Sequence, residues 1–551
     1  MKKFFTLLIV FCGLFAVLNA QTALDPNQFV NAQITEAGVY TVEAGQFYAF
    51  DGRIDLTFEV TIEGPDNGWI MNDATPPVLV GTPGADGAAR DFIEIKEGGA
   101  LTLKNVMLSG SNSNDEVVST MIMNTAGESF ILDNCAFVDW VNFALRNKSI
   151  KGVMSVTNCV FINGVRLSFS QWGGMPIRMD VAPDSMVYEN NTIVNSGRLF
   201  ANMGPYLNCK MTELHNTFVN TIVMNHEQVG YQMLHANNLF YNYHWIGMNT
   251  DNHSVPDLYI NQYMTTFNYF AWGKGRLDST SLYLGQNLFY RPQEISDWFV
   301  EFGGDSIAES LLWEHPDVDS FVVADDNYTI GTNYAEMEPN FTTPVGNLDK
   351  IVENLHAHRM TPTADWVDWR SPSPVTFTEE GLPELSWPPA FDLSYSHAGL
   401  QTAGTDGLPL GDLNWFPNKK AEYLANRDAI IVALRDSMAN ATAVYDPETM
   451  DDTPMITEIS DPTSAKQVLR ESANIQVYPN PARDMVSVHG IDQAGSTITF
   501  YDLLGKEIQY VQLEGVNTQL DISNLDKGVY LYRINTSDNV SIKTGKLMIM
   551  K

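Results

Sequence analysis

The sequence predicts an all-β protein: a long coiled sheet followed by a small, separate β domain. Three observations carry that expectation. A six-residue phrase recurs along the first half, short β-branched and aromatic runs alternate with Asn, Gly and Ser there, and the last eighty or so residues change to a plain alternating strand pattern.

The phrase appears as "NCAFVD" (Asn134 to Asp139), "NCVFIN" (Asn158 to Asn163), "NNTIVN" (Asn190 to Asn195), "HNTFVN" (His215 to Asn220), "NNLFYN" (Asn237 to Asn242) and "QNLFYR" (Gln286 to Arg291). Its starts lie 24, 32, 25, 22 and 49 residues apart. Repeats of that length mark stacked supersecondary units. Neighbouring strands lie ~4.8 Å apart, so equivalent residues of successive coils form columns. Asparagine suits such columns because its amide donates to one neighbour and accepts from the next, and it tolerates the left-handed backbone of tight turns. Asp139, Asn163, Asn195, Asn220 and Asn242 are expected to form one such ladder. Counted six residues on from the phrase's central Phe or Ile, Phe143, Leu167, Leu199, Met224 and Ile246 are uniformly apolar. This predicts a buried face, with Arg166, Arg198 and Trp245 on the outward one.

These columns, together with "DFIEIKEGGALTLKNVMLSG" (Asp91 to Gly110), resemble the right-handed parallel β-helix of the pectate lyase-like superfamily over residues 25–300. That resemblance implies a polymer-binding sheet face; it leaves the activity open, since one scaffold hosts many functions.

The flanking elements follow in order. Residues 1–20, with Lys2 and Lys3 ahead of an apolar run and Asn19-Ala20 at its end, read as a secretory signal peptide. Residues 21–300 are the β-helix. Residues 301–450 are expected to finish it, to pack along the solenoid and to cover its open end, with a helix near Asn418 to Ala441 carrying Leu424, Ile430, Ile431, Leu434 and Met438. The acidic Ser/Thr/Pro run at 451–472 reads as a linker. Residues 473–551 contain "IQVYPNPARDMVSVHG", "STITFYDLLGKEIQ" and "LDISNLDKGVYLYRI". They resemble the C-terminal sorting domain of the type IX secretion system, a small β-sandwich. That family implies passage across the outer membrane, removal of the domain, and release or attachment at the cell surface, with the secretion machinery as partner.

The chain has 32 Lys+Arg against 66 Asp+Glu, a formal charge of -34. Such a balance argues against nucleic acid and anionic membrane surfaces as partners, and the mature chain is expected to be monomeric. Beyond the leader no apolar run has the length of a membrane span. Cys135, Cys159 and Cys209 remain after cleavage. An odd count favours stacked buried thiols at Cys135 and Cys159 over a disulfide between them.

One stretch departs from the acidic background. Arg146, Lys148, Lys151, Arg166, Arg178 and Arg198 face only Asp180, Asp184 and Glu189. Like charges stacked in adjacent coils call for anions between them. Trp140, Trp172, Tyr243 and Trp245 are the aromatic groups expected beside them. Guanidinium groups pair bidentately with carboxylates, and flat rings stack on sugars. An acidic, uronic-acid-containing polysaccharide is therefore the expected ligand, and β-elimination the expected reaction. Lys148 is the candidate base and Arg178 the group neutralising the substrate carboxylate; Arg146, Arg166, Arg198, Trp172, Trp245 and Asp180 form the binding surface. His226 and Tyr188 are secondary candidates. "ALRNKS" and "PIRMD" resemble the Lys and Arg segments of the alginate lyase and chondroitinase B family, without its flanking motifs. The alternatives are a non-catalytic cell-surface glycan-binding or structural protein, and arginines that merely pair with carboxylates from 300–450. "NTD" (Asn249 to Asp251) stands without the further motifs of polygalacturonases. Calcium is compatible with the reading, but no column stacks the acids an all-protein site would use, and no zinc spacing is present.

Overall fold

A computed structural model describes residues 21–164, 173–180, 183–202, 210–227, 232–249, 281–304, 307–309, 328–335, 337–361, 364–438, 475–479, 482–491, 495–501, 507–513, 517–536 and 541–550. The chain divides into two compact units, residues 1–455 and 456–551.

The first unit is a parallel β-helix. One coil shows how it is built. Ser129–Asp133 lies in a first, eleven-stranded sheet, Ala136–Trp140 in a second, and Phe143–Asn147 in a third. Each strand pairs in parallel with its equivalents one coil before and one coil after. The second and third sheets merge into one fifteen-stranded sheet at Thr192–Asn202, whose eleven residues run through the corner unbroken.

The recurring phrase is the corner code of this coil. Its first residue has a positive φ in each of six described copies: Asn134, Asn158, Asn190, His215, Asn237 and Gln286, between 51° and 63°. Its last residue does the same at Asp139, Asn163, Asn195, Asn220 and Asn242, between 52° and 67°. Left-handed backbone costs most L residues ~1–2 kcal/mol, and Asn bears it best. Two such corners frame each short strand of the second sheet. Between them the Phe side chains stack inside the coil: Phe137 on Phe161, Phe218 on Phe240 and Phe240 on Phe289, with ring centroids 4.8–4.9 Å apart. That distance is the strand spacing itself.

The expected asparagine ladder is present. The amides donate one way, Asn242 to Asn220 (2.8 Å), Asn220 to Asn195 (3.1 Å), Asn195 to Asn163 (3.4 Å) and Asn163 to Asp139 (3.0 Å). Asp139, an acceptor only, ends the chain. A second ladder occupies the phrase's second position, where Asn191, Asn216, Asn238, Asn287 and Asn333 are joined at 2.9–3.0 Å. It donates in the opposite direction. Backbone N–H groups fix that direction, because each amide oxygen must face the donor of the preceding coil, as Asn191 Oδ1 faces the Cys159 N–H at 2.9 Å. Cys135 and Cys159 continue this column as free, buried thiols.

Short helices lie at Val30–Gln33 (α1) and Gln293–Trp298 (α2), and longer ones at Leu348–Met360 (α3) and Pro417–Ser437 (α4). The segment after residue 338 runs along the outside of the solenoid. Val375, Trp387, Phe391 and Leu393 form an apolar second layer over Val138, Val160, Ile162, Val194 and Val219 of the second sheet. Helix α3 seats Ile351 and Leu355 against Val223, Trp245 and Ile246. Helix α4 places Leu434, and the residue capping its end places Met438, on Leu214, Leu234 and Ala236 of the first sheet. The ladders are the docking points. Ser371, Ser373 and Asn347 bond to the outer one; Thr405, Asp406 and Asn414 bond to the Asn190–His215–Asn237 corners.

The second unit is a sandwich of a three-stranded and a four-stranded antiparallel sheet. Its core holds Val486, Val488, Ile498, Phe500, Ile534 and Leu547. Among the described residues no helix is long and apolar enough to cross a membrane.

Candidate functional site

The outward column of the third sheet runs Asp55, Glu94, Met123, Arg146, Arg178. Asp55, Met123, Arg146 and Arg178 keep part of their surface in solvent. One end is acidic and self-satisfied: Arg53 and Lys96 both bond to the nearly buried Glu94. The other end is basic. Arg146 donates through Nε and Nη2 to Asp180 Oδ2 at 2.9 and 2.7 Å, and Arg178 donates through Nε to Asp180 Oδ1 at 2.7 Å. Both guanidinium groups lie over the Phe143 ring, 5.3 and 5.2 Å from its centroid, a cation–π arrangement that holds them flat. Burial pushes the Asp180 carboxyl up, but the pull of Arg178 and Arg146 prevails and holds it below the usual carboxylate value.

The strand ends place Lys148 on the same patch. Asn124, Asn147 and Met179 are in register, so the residues that follow them, Thr125, Lys148 and Asp180, form the next column. Lys148 stands one coil from Asp180 and one diagonal step, ~8 Å between Cα atoms, from Arg178. Lys148 is exposed and its side chain has no ion pair among the described residues. Two arginines thus share one carboxylate over an aromatic ring, with Lys148 exposed one coil from Asp180.

Other expected members are elsewhere. Arg198 is fully buried, and its register partner Val223 lies under helix α3, so Arg198 is not open to a ligand. Trp245, expected as a stacking platform, is fully buried under Trp366 and Trp369. Trp140 is buried too, donating to Met175 O at 2.9 Å, and Tyr243 lies beneath Arg291. Phe143, expected in the core, instead packs with Met175 beneath the two arginines. Two physical causes underlie these departures. Val223, Trp245 and Ile246 are covered from outside by helix α3, Trp366 and Trp369, whereas at Trp140, Phe143 and Tyr243 the left-handed residue at Asp139 or Asn242 breaks the period of two. Tyr188 points inward and is buried. Arg166, Trp172 and the His226 side chain lie outside the described residues. Among the described residues the ion pairs of Arg146 and Arg178 are with a local aspartate, Asp180.

A cleft of about 570 Å³ opens between the loop at Ser111–Val117 and the covering segment, lined among others by Asp115, Asp139, Lys350, Arg370 and Phe377. Arg370 is taken up bidentately by Asp368 at 3.0 and 2.9 Å. Burial raises the Asp139 carboxyl, whose Oδ2 accepts from Ser373 (2.6 Å) and Ser111 (3.3 Å). Sequence reasoning missed this cleft, although the one aspartate in an asparagine column was its signal. Among the described residues no three His, Cys, Asp or Glu side chains gather to hold a metal ion.

Residues 476–550 match the family described as the secretion system C-terminal sorting domain. The chain therefore carries a type IX sorting domain, which directs export to the cell surface or beyond it. No curated protein matches the chain. A solved structure of PorZ, described as an essential bacterial surface component of the type IX secretion system of Porphyromonas gingivalis, is 24% identical to a stretch covering 15% of this chain and 12% of that one, with a TM-score of 0.13.

Proposed function

We propose that this exported β-helix binds an acidic polysaccharide, a polymer bearing uronic acid units, across the basic end of its third sheet. The observation that carries the reading is the patch of Arg146, Arg178 and Lys148 against the single carboxylate of Asp180 over Phe143. Asp180 aligns the two guanidinium groups, and the exposed Lys148 brings a third cation to the patch. Such a cluster suits a carboxylate supplied by a ligand. The sequence resemblance to the pectate lyase-like superfamily supports a polymer lying along a sheet face.

The test is binding of the mature protein to polygalacturonate, alginate and a glycosaminoglycan, with neutral glucans as controls. Arg146→Gln with Arg178→Gln removes charge-assisted bonds worth ~1.5–3 kcal/mol each and weakens binding by at least about tenfold. Retained affinity in that double variant, or equal affinity for neutral glucans, rejects the site.

A second reading is β-elimination on the same patch, favoured by Lys148 lying one diagonal step from Arg178. Arg178 would hold the uronate carboxylate while Lys148 takes the neighbouring C5 proton. Binding is preferred because no described side chain orients the exposed Lys148 amine, and a general base needs positioning. Ultraviolet absorbance of an unsaturated uronate product, lost in Lys148→Ala, would establish elimination; its absence on every acidic polymer leaves a binding protein.

A further inference from the structure

The joint between the covering segment and helix α4 holds a lysine, an asparagine and an aspartate with no role in the patch above. Asp412 caps the short turn Leu413–Trp415, accepting the Asn414 backbone N–H at 2.8 Å. Helix α4 begins at Pro417, and Lys420, on its first turn, reaches back so that its Nζ donates to Asn414 Oδ1. The Asn414 amide nitrogen donates to Asp412 Oδ1 at 2.7 Å and to Asn190 O at 2.9 Å. The other Asp412 oxygen accepts from Thr192 Oγ1 at 2.7 Å. Asp412 and Asn414 are buried against the solenoid, 1% and 5% exposed, and Lys420 is largely covered. Lys420 has no ion pair among the described residues.

We propose that Lys420 and Asn414 join in an intramolecular amide cross-link, with Asp412 carrying the protons. A hydrogen bond to Oδ1 sets Nζ within about 3.5 Å of Cγ, since the C=O bond is ~1.2 Å, and that is a near-attack separation. The Nζ lone pair adds to Cγ and the carbonyl electrons move onto oxygen. When the carbonyl re-forms, the Cγ–Nδ2 bond breaks. The proton lost by Nζ passes through the Asp412 carboxyl to the departing nitrogen, which already bonds to it. One amine and one carboxamide become one secondary amide and one ammonia, and no oxidant or cofactor takes part.

The surroundings favour the reactive protonation states. Burial lowers the Lys420 ammonium from its ordinary value and pushes the Asp412 carboxyl up to about 7, against the bonds from Asn414 and Thr192. A neutral amine is the nucleophile that aminolysis needs, and a protonated carboxyl beside the leaving nitrogen is the acid. The partners are six residues apart, so closing the loop gains little entropy. What the link fixes is the joint itself, where the segment hooked on Asn190 turns into the helix lying on the first sheet.

Mass spectrometry of the purified mature protein tests this directly. The folded chain should be lighter than its sequence by one ammonia, about 17 Da. Cyclisation of an N-terminal Gln21 has the same mass, so the position must be read from tryptic peptides. The link predicts a branched species in which the peptide ending at Lys419 is joined through Asn414 to the peptide Lys420 to Arg427. Two linear peptides with cleavage after Lys420 would overturn the proposal. Asp412→Ala, checked for native circular dichroism, should return the full mass. A cross-link that persists in that variant removes Asp412 from the mechanism.

Discussion

Truncating Asn216 to alanine should destabilise the β-helix by about 4 kcal/mol. Asn216 is fully buried. Its amide nitrogen donates to Asn238 Oδ1 at 3.0 Å and to the carbonyls of Tyr188 and Leu214 at 2.9 and 3.2 Å. Its oxygen accepts from the Asn191 backbone N–H and side-chain amide at 3.1 and 2.9 Å. After truncation the Asn191 amide keeps Val156 O, and Asn238 Oδ1 keeps the Asn216 backbone N–H. The Asn191 backbone N–H loses its side-chain acceptor in a dry interior. An orphaned buried donor costs ~1–3 kcal/mol and each lost bond nets ~1 kcal/mol, so about 4 kcal/mol is a large share of a usual ~5–15 kcal/mol. The assay is equilibrium urea unfolding followed by the buried tryptophans Trp140, Trp245 and Trp369. Asn426→Ala is the control, because among the described residues exposed Asn426 bonds only to Glu422 O on its own helix. A loss under about 1 kcal/mol for Asn216→Ala would refute the view that the inner ladder holds the coils in register.

Other expectations follow from the ion pairs and thiols. Asp180→Asn should cost about 2 kcal/mol by leaving two guanidinium groups without their carboxylate. Its folded value lies below the unfolded 3.8, so the stability it adds is present above that pH and lost as pH falls through the folded value; thermal melts of the two proteins should converge in acid. Arg427→Leu strips the buried Glu189 of an ion pair made at 2.6 Å through both Nε and Nη2, leaving, among the described residues, only the Tyr423 hydroxyl. It should cost about 3 kcal/mol and expose helix α4 to limited proteolysis, and Glu189→Gln in the same chain should recover part of the loss. Cys135 and Cys159 should resist alkylation in the folded protein and react fully in denaturant, since both are buried and burial pushes the Cys159 thiol up. A Cys135–Cys159 disulfide in a non-reducing digest would contradict that.

The coil and its outer ladder were legible because left-handed corners admit few residue types, and those types repeat at readable intervals, as from Asn190 to Asn195. The inner ladder was not read, although "NNTIVN", "HNTFVN" and "NNLFYN" all carry its asparagine second; a polar residue at a buried position contradicts simple patterning unless its partners are known. The sheet after the corners is misread at Trp140, Phe143 and Tyr243, because alternation does not survive the positive φ at Asp139 and Asn242, while Trp245 lies under helix α3 and Trp369, a cover that its own position does not announce. The apolar layer around Trp387 and Phe391 has no period of its own, so nothing in its residues announced which face it covers. Arg146, Arg178 and Asp180 were readable as a charge anomaly, whereas their mutual pairing depended on register across a coil.

The opposed polarity of the two ladders bears on how such a molecule can lengthen. An inner asparagine such as Asn216 both gives and receives, so a duplicated coil carrying Asn216 and Asn220 would splice into both chains without a mismatch. The coil holding Asp139 has no such freedom. A second copy of it would set two carboxylates face to face where the outer chain needs a donor. Growth by duplication is therefore open on the Asn242 side and closed on the Asp139 side.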